Sequence, residues 1–199
     1  MRNLLVCLVL LLSACTTDEA KLANRLLPTV VELVTIDDNF TFCSGVAYSP
    51  TRVITSKHCI REDRPYKIRD SKYQLYDVTF TKKSSITDAA VLHIPSANLP
   101  SAVVSSADTL EIGDPIMVVG HPRGAFSYTV SFGRISHLTD LLNGIDHPIF
   151  SHTAPIYFGM SGGPIFNMRG EIVGITRSFI QGAVMIGIPI DDVKELMND

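Results

Sequence analysis

Ser161 stands in the run Gly159-Met160-Ser161-Gly162-Gly163-Pro164, where three glycines surround one serine. Such a cluster is either a tight turn or a nucleophile on a backbone shaped to hold an anion. Acyl transfer by serine needs a base to take the hydroxyl proton and donors to hold the oxyanion that forms. Histidine is the usual base, and the chain has six: His58, His93, His121, His137, His147 and His152. Of these, His58 closes the apolar run Val53-Ile54-Thr55-Ser56-Lys57 and directly precedes Cys59, which would pin its backbone if that cysteine were bridged. An imidazole base works better when a buried carboxylate fixes its tautomer. Asp88 has β-forming and apolar neighbours on both sides, whereas Asp37, Asp38, Asp63 and Asp70 lie in charged, loop-like stretches. Taken alone, an aspartate at the start of a strand can equally well cap a turn.

The elements that would carry these groups are strands. From Pro28 onward the apolar period is 2, in short runs rich in Val, Ile, Thr, Tyr and Phe such as Thr29–Ile36, Arg52–Ser56, Ala89–Ile94 and Pro115–Gly120. Turn signals separate them, for example Ser49-Pro50-Thr51-Arg52 and Asn167-Met168-Arg169-Gly170. The chain is therefore expected to be all-β, which excludes doubly wound parallel folds. A polar, proline-bearing stretch between Pro95 and Gly113 reads as the connection between an N-terminal unit of about 28–100 and a C-terminal unit of about 112–190. At the end, Asp192 followed by Glu195 resembles a capping box opening one short helix.

The first 17 residues differ from the rest: Arg2 precedes an apolar run from Leu4 to Leu12, then Ser13, Ala14 and Cys15. Nine apolar residues fall short of the roughly 20 that cross a bilayer but suit the core of a secretory signal. Leu12-Ser13-Ala14-Cys15 resembles the bacterial lipobox, which implies a signal peptide over 1–14, lipidation of Cys15 and anchorage at a bacterial membrane, the outer membrane favoured by Thr16. Residues 15–27 are then expected to serve as a tether. Removing 1–14 takes one of 17 basic residues and none of 20 acidic ones, so the remainder has a net charge of about -4 and no basic block suited to nucleic acid. Of the four cysteines, Cys43 and Cys59 remain for the folded unit, where they form a natural disulfide pair in an oxidising compartment or stay as two buried thiols. Neither CxxC nor HExxH occurs, so no metal site and no cofactor is expected.

Together, "VITSKHC", "TDAAVL" and "GMSGGP", in this order and spacing, resemble the chymotrypsin-like serine proteases. The likeness is closest to the bacterial HtrA and glutamyl-endopeptidase side of that family and covers roughly 28–197. It implies two six-stranded antiparallel β-barrels with a cleft between them and a disulfide joining Cys43 to Cys59. It also implies Ser161 as nucleophile, His58 as general base, Asp88 as orienting carboxylate, and the N–H groups of Gly159 and Ser161 as the oxyanion hole. Met160 departs from the digestive relatives, which have an aspartate before the serine that pairs with a freshly cut N-terminus. The loop must therefore be held by other contacts.

The same resemblance puts the acyl-side pocket between Pro155, Ile156, Tyr157 and Phe158 on one wall, Thr176, Arg177 and Ser178 on another, and Val184 on the last strand. Its base is expected to be apolar around Pro155 and Val184, suiting small or medium apolar side chains, unless Arg177 turns inward and recruits an acidic one. Protein or peptide substrates follow from that reading, while the oligomeric state is open. The rival from another class is a protease-fold lipoprotein acting as a binding or inhibitory module. A lipase or esterase lacks here the strand-turn-helix context that a GxSxG serine requires.

Overall fold

The computed structural model describes residues 17–106, 110–123, 126–139, 147–180 and 184–198. The signal-like segment and Cys15 lie outside them. Among the described residues fourteen strands form two sheets, followed by a short C-terminal helix.

The N-terminal sheet contains β1 (Val30–Thr35), β2 (Thr41–Ser49), β3 (Arg52–Ser56), β4 (Tyr66–Arg69), β5 (Leu75–Asp77), β6 (Phe80–Lys83) and β7 (Ala89–His93). Its order is β5-β4-β1-β2-β3-β7-β6, antiparallel throughout. The C-terminal sheet contains β8 (Val103–Val104), β9 (Pro115–Gly120), β10 (Thr129–Thr139), β11 (Ile149–His152), β12 (Pro164–Asn167), β13 (Glu171–Ile180) and β14 (Val184–Pro189). Here β12 pairs with both β9 and β13, which closes six strands into a ring, and β8 adds to β13 in parallel. The all-β, two-unit architecture is as expected, with one difference in closure. Among the described residues the N-terminal ladder ends at edge strands β5 and β6, so that half is an open, half-barrel sheet.

Strand alternation explains why several strands read as unbroken apolar runs. Val31, Leu33 and Val53 point into a core inside the N-terminal sheet, and Ile116, Val118 and Ile135 into one inside the C-terminal ring. Their neighbours Val30, Val46 and Ile54 meet Met117, Val119 and Ile175 in a third core between the two units. A strand buried on both faces has no polar face to alternate with. The two units are thereby fastened together, and a cleft at their junction has fixed walls.

Within the expected tether 15–27, Asp18–Leu26 is a helix, α1. The Thr17 side chain accepts from the Ala20 N–H at 3.2 Å, and Asp18 and Glu19 occupy the positive first turn. Leu22 and Leu26 are buried in the core between the units. At the other end, α2 (Asp191–Met197) starts two residues earlier than the capping-box reading expects. Its cap is Ile190, with no side-chain cap bond, so Asp191 and Asp192 favour the helix from within its first turn, and Asp191 accepts from Lys194.

Candidate active site

The register of β3 on β7 brings the first two groups together. Ser56 pairs with Ala89, so the residues just beyond each, on the 3₁₀ turn Lys57–Cys59 and at Asp88, face each other. The Lys57 N–H donates to the Asp88 carbonyl at 2.9 Å. His58 donates its backbone N–H to Asp88 Oδ1 at 2.9 Å, and its ring Nδ1 lies 2.7 Å from Oδ2. With the carboxylate ionised, Nδ1 carries the proton and Nε2 keeps its lone pair free. Burial raises the Asp88 carboxyl pKa, but the hydrogen bond and charge of His58, its backbone N–H and the charge of Arg177 outweigh that, leaving it below its ordinary value. The Arg177 Nε is 3.6 Å from Oδ2.

Ser161 is held between the two sheets. Ser44 on β2 donates its N–H to the Ser161 carbonyl at 2.8 Å, and on β13 the Arg177 carbonyl accepts the Ser161 hydroxyl at 3.2 Å. Gly162 donates to the Thr176 carbonyl at 2.8 Å, and Thr176 donates to that of Gly163 at 2.8 Å. Met160 donates to Tyr157 and Gly163 to Met160, each at 3.0 Å. From 159 to 163, then, the N–H groups of Met160, Gly162 and Gly163 are engaged, whereas among the described residues those of Gly159 and Ser161 have no acceptor. Alternate free donors beside a serine hydroxyl are what an oxyanion requires.

The glycines are needed at two positions. Gly159 has φ +97° and a Cβ there would lie 2.5 Å from the Arg123 nitrogen and the His121 oxygen. Gly162 has φ +79° and would place a Cβ 2.2 Å from Thr55 Oγ1. Met160, which has no salt-bridging group, is fully buried in the C-terminal core, so apolar burial anchors the loop. Ser44, which sequence reasoning missed, holds it from the other side: its Oγ donates to the Gly159 carbonyl at 2.8 Å and accepts the His121 N–H at 2.8 Å. A lone serine in a strand gave no signal of this.

His58, Asp88, Gly159 and Ser161 all line one cleft of about 780 Å³. Six of the eight expected pocket residues line it as well, namely Ile156, Tyr157, Phe158, Thr176, Arg177 and Ser178. Pro155 and Val184, the expected base, do not: both are exposed, Pro155 because it alternates outward between buried Ala154 and Ile156. Phe179, the last residue of the expected wall Thr176-Arg177-Ser178-Phe179, lines the cleft too, and so does His147, which follows no sequence pattern. Cys43 and Cys59 are joined in a disulfide with Cα atoms 6.0 Å apart. Among the described residues they and His58 form a group with metal-ligand spacing, but the two sulfurs are bonded to each other.

Two β-sheets meeting at a cleft that holds a hydrogen-bonded histidine–aspartate pair and a glycine-flanked serine define a protein of the trypsin-like class. The trypsin-like peptidase domain family matches residues 43–175, and the chain belongs to that family. A probable periplasmic serine endoprotease, DegP-like, of Pseudomonas savastanoi pv. phaseolicola is 33% identical over 162 residues, covering 78% of this chain and 34% of the relative. A DegP-like counterpart from Hahella chejuensis is 36% identical over 118 residues, 56% of this chain and 25% of its own length. The chain thus spans about a third or less of the curated relatives it matches. Among solved structures, an HtrA-type protease with a decapeptide superposes with a TM-score of 0.78 at 21% identity, over 92% of this chain and 66% of that one. The inactive form of the Rv3671c protease gives 0.75 at 20%, over 89% and 91%.

Proposed function

We propose that this chain is a serine endopeptidase held at a bacterial envelope membrane by lipid on Cys15, cleaving envelope proteins through Ser161, His58 and Asp88. The observation that carries the catalytic part is the pair of N–H groups at Gly159 and Ser161 that have no acceptor among the described residues, set in the same cleft as the His58–Asp88 hydrogen bond. In this reading the substrate's backbone N–H takes the Arg177 carbonyl and frees the Ser161 hydroxyl it now accepts. His58 Nε2 removes the proton as Oγ attacks, the two N–H groups receive the oxyanion, and the imidazolium gives its proton to the leaving amine. Water then repeats the sequence on the acyl-enzyme.

Anchorage rests on the lipobox-like ending at Cys15, with 1–14 as signal peptide. The described helix begins at Asp18, so the spacer between lipid and folded unit is short and the cleft works close to the membrane surface. The folded unit then begins with α1 at Asp18, and its halves are about 28–100 and 112–190. The experiment compares residues 16–199 with the Ser161→Ala form for fluorophosphonate labelling and casein cleavage. Both should be strong in the first and lost in the second; absence of both from the first would sink the catalytic reading. Labelled palmitate entering the full chain but not its Cys15→Ala form tests the anchor separately.

A further inference from the structure

Among the described residues, the cleft wall is unusually cationic, with one carboxylate. Lys57, Arg61, Arg123 and Arg177 line it, and Asp88, the acid among them, is already bound to His58. Two of the four cations are committed: Lys57 Nζ donates to the Ser84 carbonyl at 2.9 Å, and Arg177 faces Asp88 and donates to Ser178 Oγ at 3.3 Å. Arg61 and Arg123 are exposed, and their side-chain contacts are with rings. The Arg61 guanidinium lies 5.8 Å from the centroid of Phe42, and that of Arg123 lies 5.2 Å from the centroid of Phe40. Among the described residues neither makes an ion pair: nearby Glu62 is paired with Lys83, and Asp38 accepts from Thr35 and the Phe40 N–H. Stacking holds each cation in place while leaving its N–H fork free, which lowers the entropy cost of gripping an anion.

Their side of the cleft follows from how Ser161 is held. The acyl half of a substrate lies along β13, whose Arg177 carbonyl faces the hydroxyl. The chain after the cut must then leave across the start of β2, over Phe42 and Cys43, where Arg61 stands two residues beyond the bridged Cys59. Arg123 flanks the same exit from the oxyanion side, its N–H bonded to the Phe158 carbonyl at 2.7 Å. Resting on the catalytic reading above, we propose that Arg61 and Arg123 form a cationic clamp on the leaving-group side, which selects protein substrates with Asp or Glu in the first residues after the scissile bond. A positive, low-dielectric cleft also concentrates acidic segments before contact.

Cleavage of a peptide library by residues 16–199, with sites mapped by mass spectrometry, should show Asp and Glu enriched just after the cut. Matched peptides carrying Glu, Gln or Lys there should give kcat/KM roughly three- to tenfold higher for Glu than for Gln, as expected of one or two exposed ion pairs, and the ratio should fall as salt is raised. In R61Q/R123Q the Glu-to-Gln ratio should drop to near one, whereas R61K/R123K should keep part of it; because each ratio is taken within one variant, loss of fold does not imitate the effect. Equal rates for Glu and Gln in an enzyme that labels with fluorophosphonate, or an acidic preference that survives R61Q/R123Q, would overturn the clamp alone. Failure of labelling would overturn the catalytic reading and the clamp with it.

Discussion

At the scale of single residues, the bond between His58 and Asp88 invites the sharpest test. Asp88 receives both the backbone N–H and the ring N–H of His58, so it sets backbone position and ring tautomer at once. Asn in its place can accept one of these bonds but presents an amide N–H to the other, which favours the wrong tautomer. Asp88→Asn should lower kcat about 10⁴-fold with little change in KM, the size expected when the imidazole can no longer be held as a base. The check is steady-state kinetics, with thermal unfolding to show that the fold is intact; a fall under tenfold would remove Asp88 from its proposed role. His58, Asp88 and Ser161 were legible because their chemistry requires those residue types and because strand register, not sequence proximity, unites 58 with 88. The pocket base was not legible. A period of 2 says that faces alternate but not which face Pro155 takes, and Val184 stands at the exposed start of its strand.

At the scale of elements, the loop 159–163 is shaped by its neighbours as much as by its glycines. The strand β2 reaches it through Ser44, which bridges the Gly159 carbonyl and the His121 N–H and is itself fully buried. Removing that hydroxyl leaves one buried acceptor and one buried donor without it, at a cost of about 1–3 kcal/mol. Part of this cost should fall on the orientation of the Gly159 peptide. Ser44→Ala is therefore expected to slow fluorophosphonate labelling about tenfold as well as to lower Tm. Unchanged labelling beside a lowered Tm would reduce Ser44 to a purely structural residue. Strands were readable from alternation, and so was the need for other contacts in place of a salt bridge beside Met160. What those contacts are was not, because a hydrogen bond between 44 and 159 depends on how two sheets meet. The same holds for α1: the stretch reads as a tether in the sequence, and its seat on the turn at Gly170, where Arg25 donates to the Arg169 carbonyl at 3.1 Å, is tertiary.

At the scale of the whole molecule, the junction between the two units carries a buried polar group whose protonation should govern stability. His121, at the end of β9, has its Nδ1 3.6 Å from Glu32 Oε1 on β1, and Glu32 is held by Arg69 of β4 at 2.6 Å and by Thr41. Burial pushes the His121 pKa from 6.5 down to about 4, against the pull of Glu32 and with the repulsion of Arg69. His152 on β11 is likewise lowered by burial to about 4. In the unfolded chain both take up a proton near pH 6.5, in the folded one only near pH 4, so between these values the unfolded state binds more protons and stability falls with pH. Each histidine can withdraw up to about 3 kcal/mol by pH 4. The Glu32 carboxyl, where burial is outweighed by Arg69, His121 and Thr41, lies below its ordinary 4.5, and its contribution is lost as pH falls further, through that lowered value. Tm should therefore drop steadily from pH 7 to pH 4.5, and His152→Leu should flatten the slope by removing one of the two groups. Equal Tm at pH 7 and pH 5 would show that these rings accept protons without loosening the fold. Because His121 is buried where the two units meet, the opening that lets its ring take up a proton should separate the units along their shared face, exposing the core between the sheets and opening the cleft. Activity at pH 5 should then decline progressively on standing, beyond any loss seen at once on mixing.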